Sequence, residues 1–228
     1  MKIKEWNMVK NWPYILWFLL AFALNIGATF VLVRLDNYQG LNLVWASAAL
    51  LVVTGLEIFL AGKAKLLSKF WQDGFLKMLA YVGLGFIAVF AVKIIAGIVM
   101  QLSGEGLNTV NQQAIEDMGF PPIILFLLTS IFAPIVEEIV FRGFIMGKIF
   151  GKESIFGLIL SSLLFGLMHA PTGLGSWIMY GGMGLVLGLI YRLGKRLEYS
   201  MLVHFINNII GGFLLMLLMQ MLMNGSLG

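Results

Sequence analysis

Glu137-Glu138-Ile139-Val140-Phe141-Arg142 sets three ionisable side chains inside an apolar run that begins at Pro121 and continues to Phe150. Charged groups at bilayer depth cost about 2.5–3.5 kcal/mol each on insertion scales, so they line a cavity, pair with one another or do chemistry. Two adjacent carboxylates and a guanidinium in such a run set the task for the rest of the chain, which is to pack around them.

Composition agrees. The chain has 228 residues, 60% hydrophobic and only 11% charged, where an average soluble domain carries about 25% charged residues. The mean hydropathy is +0.95. This is the balance of a polytopic integral membrane protein, and no polar stretch is long enough to fold as a separate soluble domain. The net charge of +4 and pI near 9.3 come from basic residues scattered through short loops. Phospholipid headgroups of a bilayer account for them, and no patch suited to nucleic acid forms. Cysteine is absent, which excludes disulfides and thiolate chemistry. The basic segment Met1–Asn11 precedes an apolar run too long for a signal peptide and shows no cleavage site, so it is expected to be retained.

Apolar windows long enough to cross about 30 Å of hydrocarbon fall at Tyr14–Val33, Leu43–Ala61, Phe75–Leu102, Pro121–Phe150, Ser154–Ala170, Ser176–Leu193 and Met201–Met223. The fold class is therefore all-α, a bundle of about seven transmembrane helices. Residues 1–120 hold the first three and an outer loop; residues 121–228 hold the polar motifs. Lys and Arg collect before the first helix and at the second, fourth and sixth connections, as at Lys10, Lys65, Lys148 and Lys195. That alternation predicts a multi-pass cell-membrane protein with its N-terminus in the cytoplasm. Trp6, Trp12, Tyr14, Trp17 and Trp71 are expected as interfacial anchors. Glu57 and Lys93, near opposite ends of their spans, are expected to snorkel. Gly157, Ser161, Ser162, Gly166, Gly181, Gly182, Gly184 and Gly188 are expected to form a close helix-packing face.

On an α-helix Glu138 and Arg142 share a face while Glu137 points about 100° away, so the arginine can neutralise one carboxylate and leave the other facing elsewhere. The fifth span puts Phe165 and His169 on one face, and the seventh stacks His204 and Asn208 one turn apart. The only two histidines of the chain thus sit in or beside apolar spans. A carboxylate and a neutral imidazole can take a proton from water as it attacks a carbonyl, and a second imidazole with an amide N–H can donate to the oxyanion. With no cysteine and no serine in a nucleophile elbow, activated water is the natural nucleophile, and peptide hydrolysis fits the equipment. Three alternatives stay open from the residues alone. Glu137, His169 and His204 could bind catalytic zinc, although the His-Glu-x-x-His spacing is missing. The same groups could be structural glue between helices, or a proton or substrate relay in a transporter.

Glu-Glu-x-x-x-Arg at Glu137–Arg142, Phe-x-x-x-His at Phe165–His169 and His-x-x-x-Asn at His204–Asn208 follow in order, each in an apolar span. This ordered trio resembles the CPBP family of intramembrane proteases, which includes the CAAX prenyl endopeptidase Rce1 and bacterial Abi or bacteriocin-immunity proteins. The resemblance covers Pro121 to Ile210. It implies a membrane endopeptidase in which Glu137 and His169 activate water and His204 and Asn208 form the oxyanion hole. Glu138, Arg142 and Phe165 would support that site, with Asn207 secondary. The implied substrate is a membrane-associated protein or peptide, in bacterial relatives one of peptide processing or bacteriocin immunity. No cofactor is required by this reading, and zinc stays open. The other class of function is a non-enzymatic immunity or binding protein that holds a membrane peptide in the same cavity. Oligomeric state is not readable. One geometric conflict arises: in straight full-length spans His169 and His204 would lie near opposite faces of the bilayer. Either Pro134 must bend the fourth span, or the region Pro171–Gly182 must enter the membrane before the sixth helix begins.

Overall fold

The structure, a computed structural model, describes the backbone of residues 8–35, 39–68 and 73–223, and the side chains of 12–35, 39–68 and 73–211. Trp6 and Trp71 lie outside the described residues. Each apolar window is a helix: α1 Met8–Val33, α2 Gly40–Lys63, α3 Phe75–Ser103, α5 Pro122–Ile149, α6 Ile155–Met168, α7 Leu174–Gly194 and α8 Leu197–Met223. A short helix, α4 Val110–Asp117, lies in the loop between α3 and α5, where the Thr109 hydroxyl caps it by accepting from the Gln112 N–H at 3.2 Å. No strand occurs among the described residues. Among the described residues five helices (α1, α2, α3, α5 and α7) are long and apolar enough to cross a bilayer, and the chain is a multi-pass membrane helix bundle.

The most buried span is α5. Of its most apolar window 61% is buried, against 17–22% for α1, α2 and α3, so the helix with the charged hexad forms the centre. Its backbone is not uniform. Pro122–Leu125 and Ala133–Glu137 are α-helical, while Phe126–Phe132 and Glu138–Ile149 have the wider π-helical turn. Pro134 has no N–H to give to the Ser130 carbonyl and its ring crowds that oxygen, and the turn before it is one of the widened ones. Helices α1, α2, α6, α7 and α8 all pack on α5, and α3 packs on α7 and α8.

The expected conflict of depth is relieved at α6. This helix has 14 residues, a length of about 21 Å, too short for about 30 Å of hydrocarbon. It therefore delivers His169 at its C-terminal end inside the bundle, and α7 starts only at Leu174, after a five-residue turn.

Glu57 departs from expectation. It does not snorkel: it is 0% exposed and neither carboxyl oxygen has a hydrogen-bond partner. Ala46, Leu50, Thr54, Glu57 and Ala61 are the buried residues of α2, a single stripe at helical spacing. The stripe lies in contact with neighbouring helices, and that packing leaves the carboxylate no path to an interface.

The small residues do form the packing face. A Cβ on Gly166 would stand 3.1 Å from the Gly181 backbone, and one on Gly184 would stand 3.0 Å from the Ser162 carbonyl oxygen. Backbone cannot move aside as a flexible side chain can, so these glycines set the distance between α6 and α7. Gly166→Leu is expected to lower the stability of the detergent-solubilised protein by about 1–3 kcal/mol, the usual cost of overpacking. Gly97→Ala, with open space around it, should leave the unfolding midpoint unchanged or raise it slightly. Equal behaviour of the two variants in thermal unfolding would refute the packing role.

Candidate active site

The site is built around one fully buried ion pair. Arg142 Nη1 donates to Glu138 Oε1 at 2.8 Å, one turn apart on α5, and both side chains have 0% exposure. A buried guanidinium needs more than one acceptor. Arg142 Nη2 finds its second in the Gly184 carbonyl oxygen of α7 at 2.9 Å, and the guanidinium lies 4.4 Å from the centre of the Phe165 ring of α6. The other end of the pair reaches α8, where His204 Nδ1 stands 3.1 Å from the same Glu138 oxygen. The Arg142-bound carboxylate accepts, so His204 Nδ1 carries the hydrogen. The Glu138–Arg142 pair thus joins α5, α6, α7 and α8.

Glu137 is left free by this arrangement. Its side chain is 10% exposed, and its Oε2 stands 3.8 Å from His204 Nε2, beyond hydrogen-bond distance. That oxygen has no protein partner. Of the two adjacent carboxylates, one is committed to Arg142 and His204 and the other is available.

His169 faces the cluster from α6. Its Nδ1 lies 2.8 Å from the Phe165 carbonyl oxygen, and a carbonyl only accepts, so Nδ1 carries the hydrogen and Nε2 has a lone pair in the neutral ring. Phe165 is the common neighbour: its ring centre is 4.6 Å from that of His169 and 5.7 Å from that of His204. No hydrogen bond or ion pair joins Glu137 to His169. Asn208 is partly committed, since its Nδ2 donates to the Thr129 carbonyl at 2.8 Å and its Oδ1 accepts from Asn207 at 2.9 Å. The second hydrogen on Asn208 Nδ2 remains for another acceptor. Asn207 is a contributor to this chain of amides and also approaches Met183 Sδ at 3.6 Å.

Glu137, Glu138, Arg142, Phe165, His169 and His204 are therefore gathered into one constellation, with Asn208 held beside Asn207 on α8. Among the described residues, no three His, Cys, Asp or Glu side chains converge closely enough to hold a metal ion. His204 Nδ1 and His169 Nδ1 are both engaged, so only their Nε2 atoms could serve as ligands.

Two contributors carried no motif. Tyr180 of α7 stacks on His169 with ring centres 4.4 Å apart and planes 16° apart, and its hydroxyl is 2.6 Å from that of Thr109. Nothing in the spacing around Tyr180 marks it. The Gly184 carbonyl has no side-chain signature at all. The first turn of α7, which follows His169 by a short turn, is also held by the loop after α3. Glu105 accepts from the Gly175 N–H at 2.8 Å, the Ser176 N–H at 3.1 Å and the Ser103 hydroxyl at 2.9 Å. These donors, the Gly175 N–H foremost, hold the Glu105 carboxyl below the usual carboxylate range.

Residues 119–210 match the model of the family described as type II CAAX prenyl endopeptidase Rce1-like. The chain is similar to the UPF0177 protein YvdC of Lactococcus lactis, with 35% identity over 129 residues, 56% of this chain and 49% of that one. It is similar to the putative membrane peptidase YdiL of Bacillus subtilis, with 35% identity over 125 residues, 54% of this chain and 50% of that one. A third similarity is to the membrane-embedded CAAX protease MroQ of Staphylococcus aureus, with 30% identity over 134 residues, 55% of this chain and 53% of that one. The chain spans about half the length of the curated relatives it matches. No solved structure matches it.

Breaking one half of a buried ion pair strands the other charge. Arg142→Leu is expected to destabilise the solubilised protein by about 3–5 kcal/mol, and the double variant Glu138→Leu/Arg142→Leu by clearly less than Arg142→Leu alone. Denaturant unfolding in micelles reads both. A double variant as unstable as the sum of the two single ones would show that the pair is not coupled.

Proposed function

We propose, from the match of residues 119–210 to the Rce1-like family model, that the protein is an intramembrane endopeptidase of the CPBP kind. The single observation that carries this reading is the division of labour between adjacent carboxylates. Glu138 is locked through its Oε1 to Arg142 and His204, whereas no described residue hydrogen-bonds Glu137, whose Oε2 lies unpartnered at the same site.

Glu137 takes a proton from a water molecule as that water adds to the peptide carbonyl, and the lone pair on His169 Nε2 helps to hold and orient the water. The negative charge that develops on the carbonyl oxygen accepts from the second Asn208 amide hydrogen and from His204 when that ring carries both of its hydrogens. Glu138 keeps the His204 ring in one orientation. Arg142 keeps Glu138 ionised in an apolar interior, where an unpaired carboxylate would be strongly disfavoured. The proton held by Glu137 then passes to the leaving amine as the C–N bond breaks, and the carboxylate is restored. No step here runs through a metal.

The substrate is a membrane-associated protein or peptide, because the constellation lies within the apolar bundle and is reached through it. Among the relatives, one is named as a membrane peptidase and another as a CAAX protease, which supports peptide hydrolysis. Processing of peptide precursors, or protection against bacteriocins, is the corresponding physiological role. The N-terminus is cytoplasmic by the distribution of Lys and Arg.

Mass-spectrometric mapping of new peptide termini in membranes of cells making the protein or its Glu137→Ala variant, at matched levels, tests the proposal. Termini present with the intact protein and absent with the variant are expected. Identical termini in the two membranes, together with a protective phenotype that survives in both, would replace hydrolysis by binding.

A further inference from the structure

Lys93 is a cation in the interior of α3 with no anion of its own. It lies ten residues before the end of a 29-residue apolar helix, and no ion pair or hydrogen bond reaches it from any described residue. The stretch Gly212–Met223, whose side chains lie outside the described ones, contains no Asp or Glu. Val89 is 1% exposed and Ala96 is 0% exposed, and Lys93 falls between them at i+4 and i−3, on the same face. That face packs on α7 and α8. A Cβ on Gly85, two turns before Lys93, would meet Val203 of α8, the residue preceding His204, and a Cβ on Gly182 of α7 would meet Val92. Lys93, itself only partly buried, therefore stands in the seam between α3 and the two helices that carry Tyr180 and His204.

An ammonium group inside a membrane bundle needs a partner. Glu138 Oε1 is taken by Arg142 and His204, its Oε2 is buried among them without a partner, and Glu57 is on α2, which packs on α1 and α5. No described carboxylate pairs with Lys93, and a bound molecule can supply the anion. We propose that Lys93 is the specificity-determining residue of this site and takes a carboxylate of the bound peptide, either its C-terminal carboxylate or an acidic side chain. This rests on the proposed peptide-hydrolysing role. A peptide whose scissile carbonyl lies at Glu137 and His204 would place a carboxylate beyond the scissile bond within reach of the α3 seam.

Binding can be read without turnover. Purified Glu137→Gln protein in nanodiscs is incubated with a library of apolar decapeptides in three forms: free C-terminal acid, C-terminal amide, and C-terminal amide with one Asp near the end. Retained peptides are quantified by mass spectrometry. At least about tenfold enrichment of a carboxylate-bearing form over the plain amide is expected, the scale of one hydrogen bond to a charged group. The acid and Asp forms distinguish the two sources. Adding Lys93→Met should abolish the enrichment and leave amide retention unchanged, while adding Lys93→Arg should keep it. An unchanged unfolding midpoint shows that the lysine variants are folded. Equal retention of all three forms, no retention of any, or enrichment that survives Lys93→Met would overturn the proposal. These outcomes are independent of whether the intact protein cleaves any peptide, which the terminus mapping decides.

Discussion

An ionised Glu138–Arg142 pair with no exposure to solvent is the constraint on which the bundle depends. Each ion alone would be strongly disfavoured in an apolar interior, and their mutual attraction offsets that only if the remaining donors and acceptors are also served. The structure brings partners from three further helices, the Gly184 carbonyl on α7, the Phe165 face on α6 and His204 on α8, and leaves Glu138 Oε2 and Arg142 Nε without a hydrogen bond. The packing of α5 to α8 is thereby tied to a polar centre as well as to glycine contacts. The same requirement fixes chemistry, because the ring and the carboxylate recruited to stabilise the pair are the ones that orient the reacting groups.

Adjacent carboxylates in one helix turn then acquire different fates from their directions alone. Glu138 points along the arginine's face and is neutralised. Glu137, displaced around the helix, meets only the edge of His204 at 3.8 Å. Electrostatics separates them further, since a second carboxylate paired to the same guanidinium would gain little and a free one keeps an unpartnered oxygen for a water molecule. Phe165 is the apolar counterpart of this arrangement. It touches the guanidinium and both imidazoles, so it positions three polar groups without offering any of them a competing hydrogen bond.

Hydropathy made the helices legible, because each span is predominantly apolar and the bilayer demands that length. Their starts were less legible. The last helix begins at Leu197 and not at Met201, since polar residues of its first turn find partners: Glu198 accepts from the Ser68 hydroxyl at 3.0 Å, and Ser200 donates to the Leu197 carbonyl at 3.0 Å. The motif residues were legible from spacing, as Glu138 and Arg142 show. Glu57 and Lys93 were visible as charges, but hydropathy counts a charge without saying which way it faces. The stripe Thr54-Glu57-Ala61 turns Glu57 wholly inward, while Lys93, on the face of Val89 and Ala96, is only partly buried. Tyr180 and the Gly184 carbonyl could not be found from the chain, because stacking and backbone acceptance depend on which helices become neighbours. The short α6 resolves the depth conflict that straight spans would impose.

The most direct measurement is single-turnover cleavage, by purified protein in lipid nanodiscs, of a peptide spanning a terminus generated in the membrane. Glu137→Gln keeps the shape of the site and removes the carboxylate that takes the proton. A loss of at least about 100-fold in rate, with an unchanged unfolding temperature, is the result expected. Cleavage at the same rate in the variant would contradict assignment of the free carboxylate as the base.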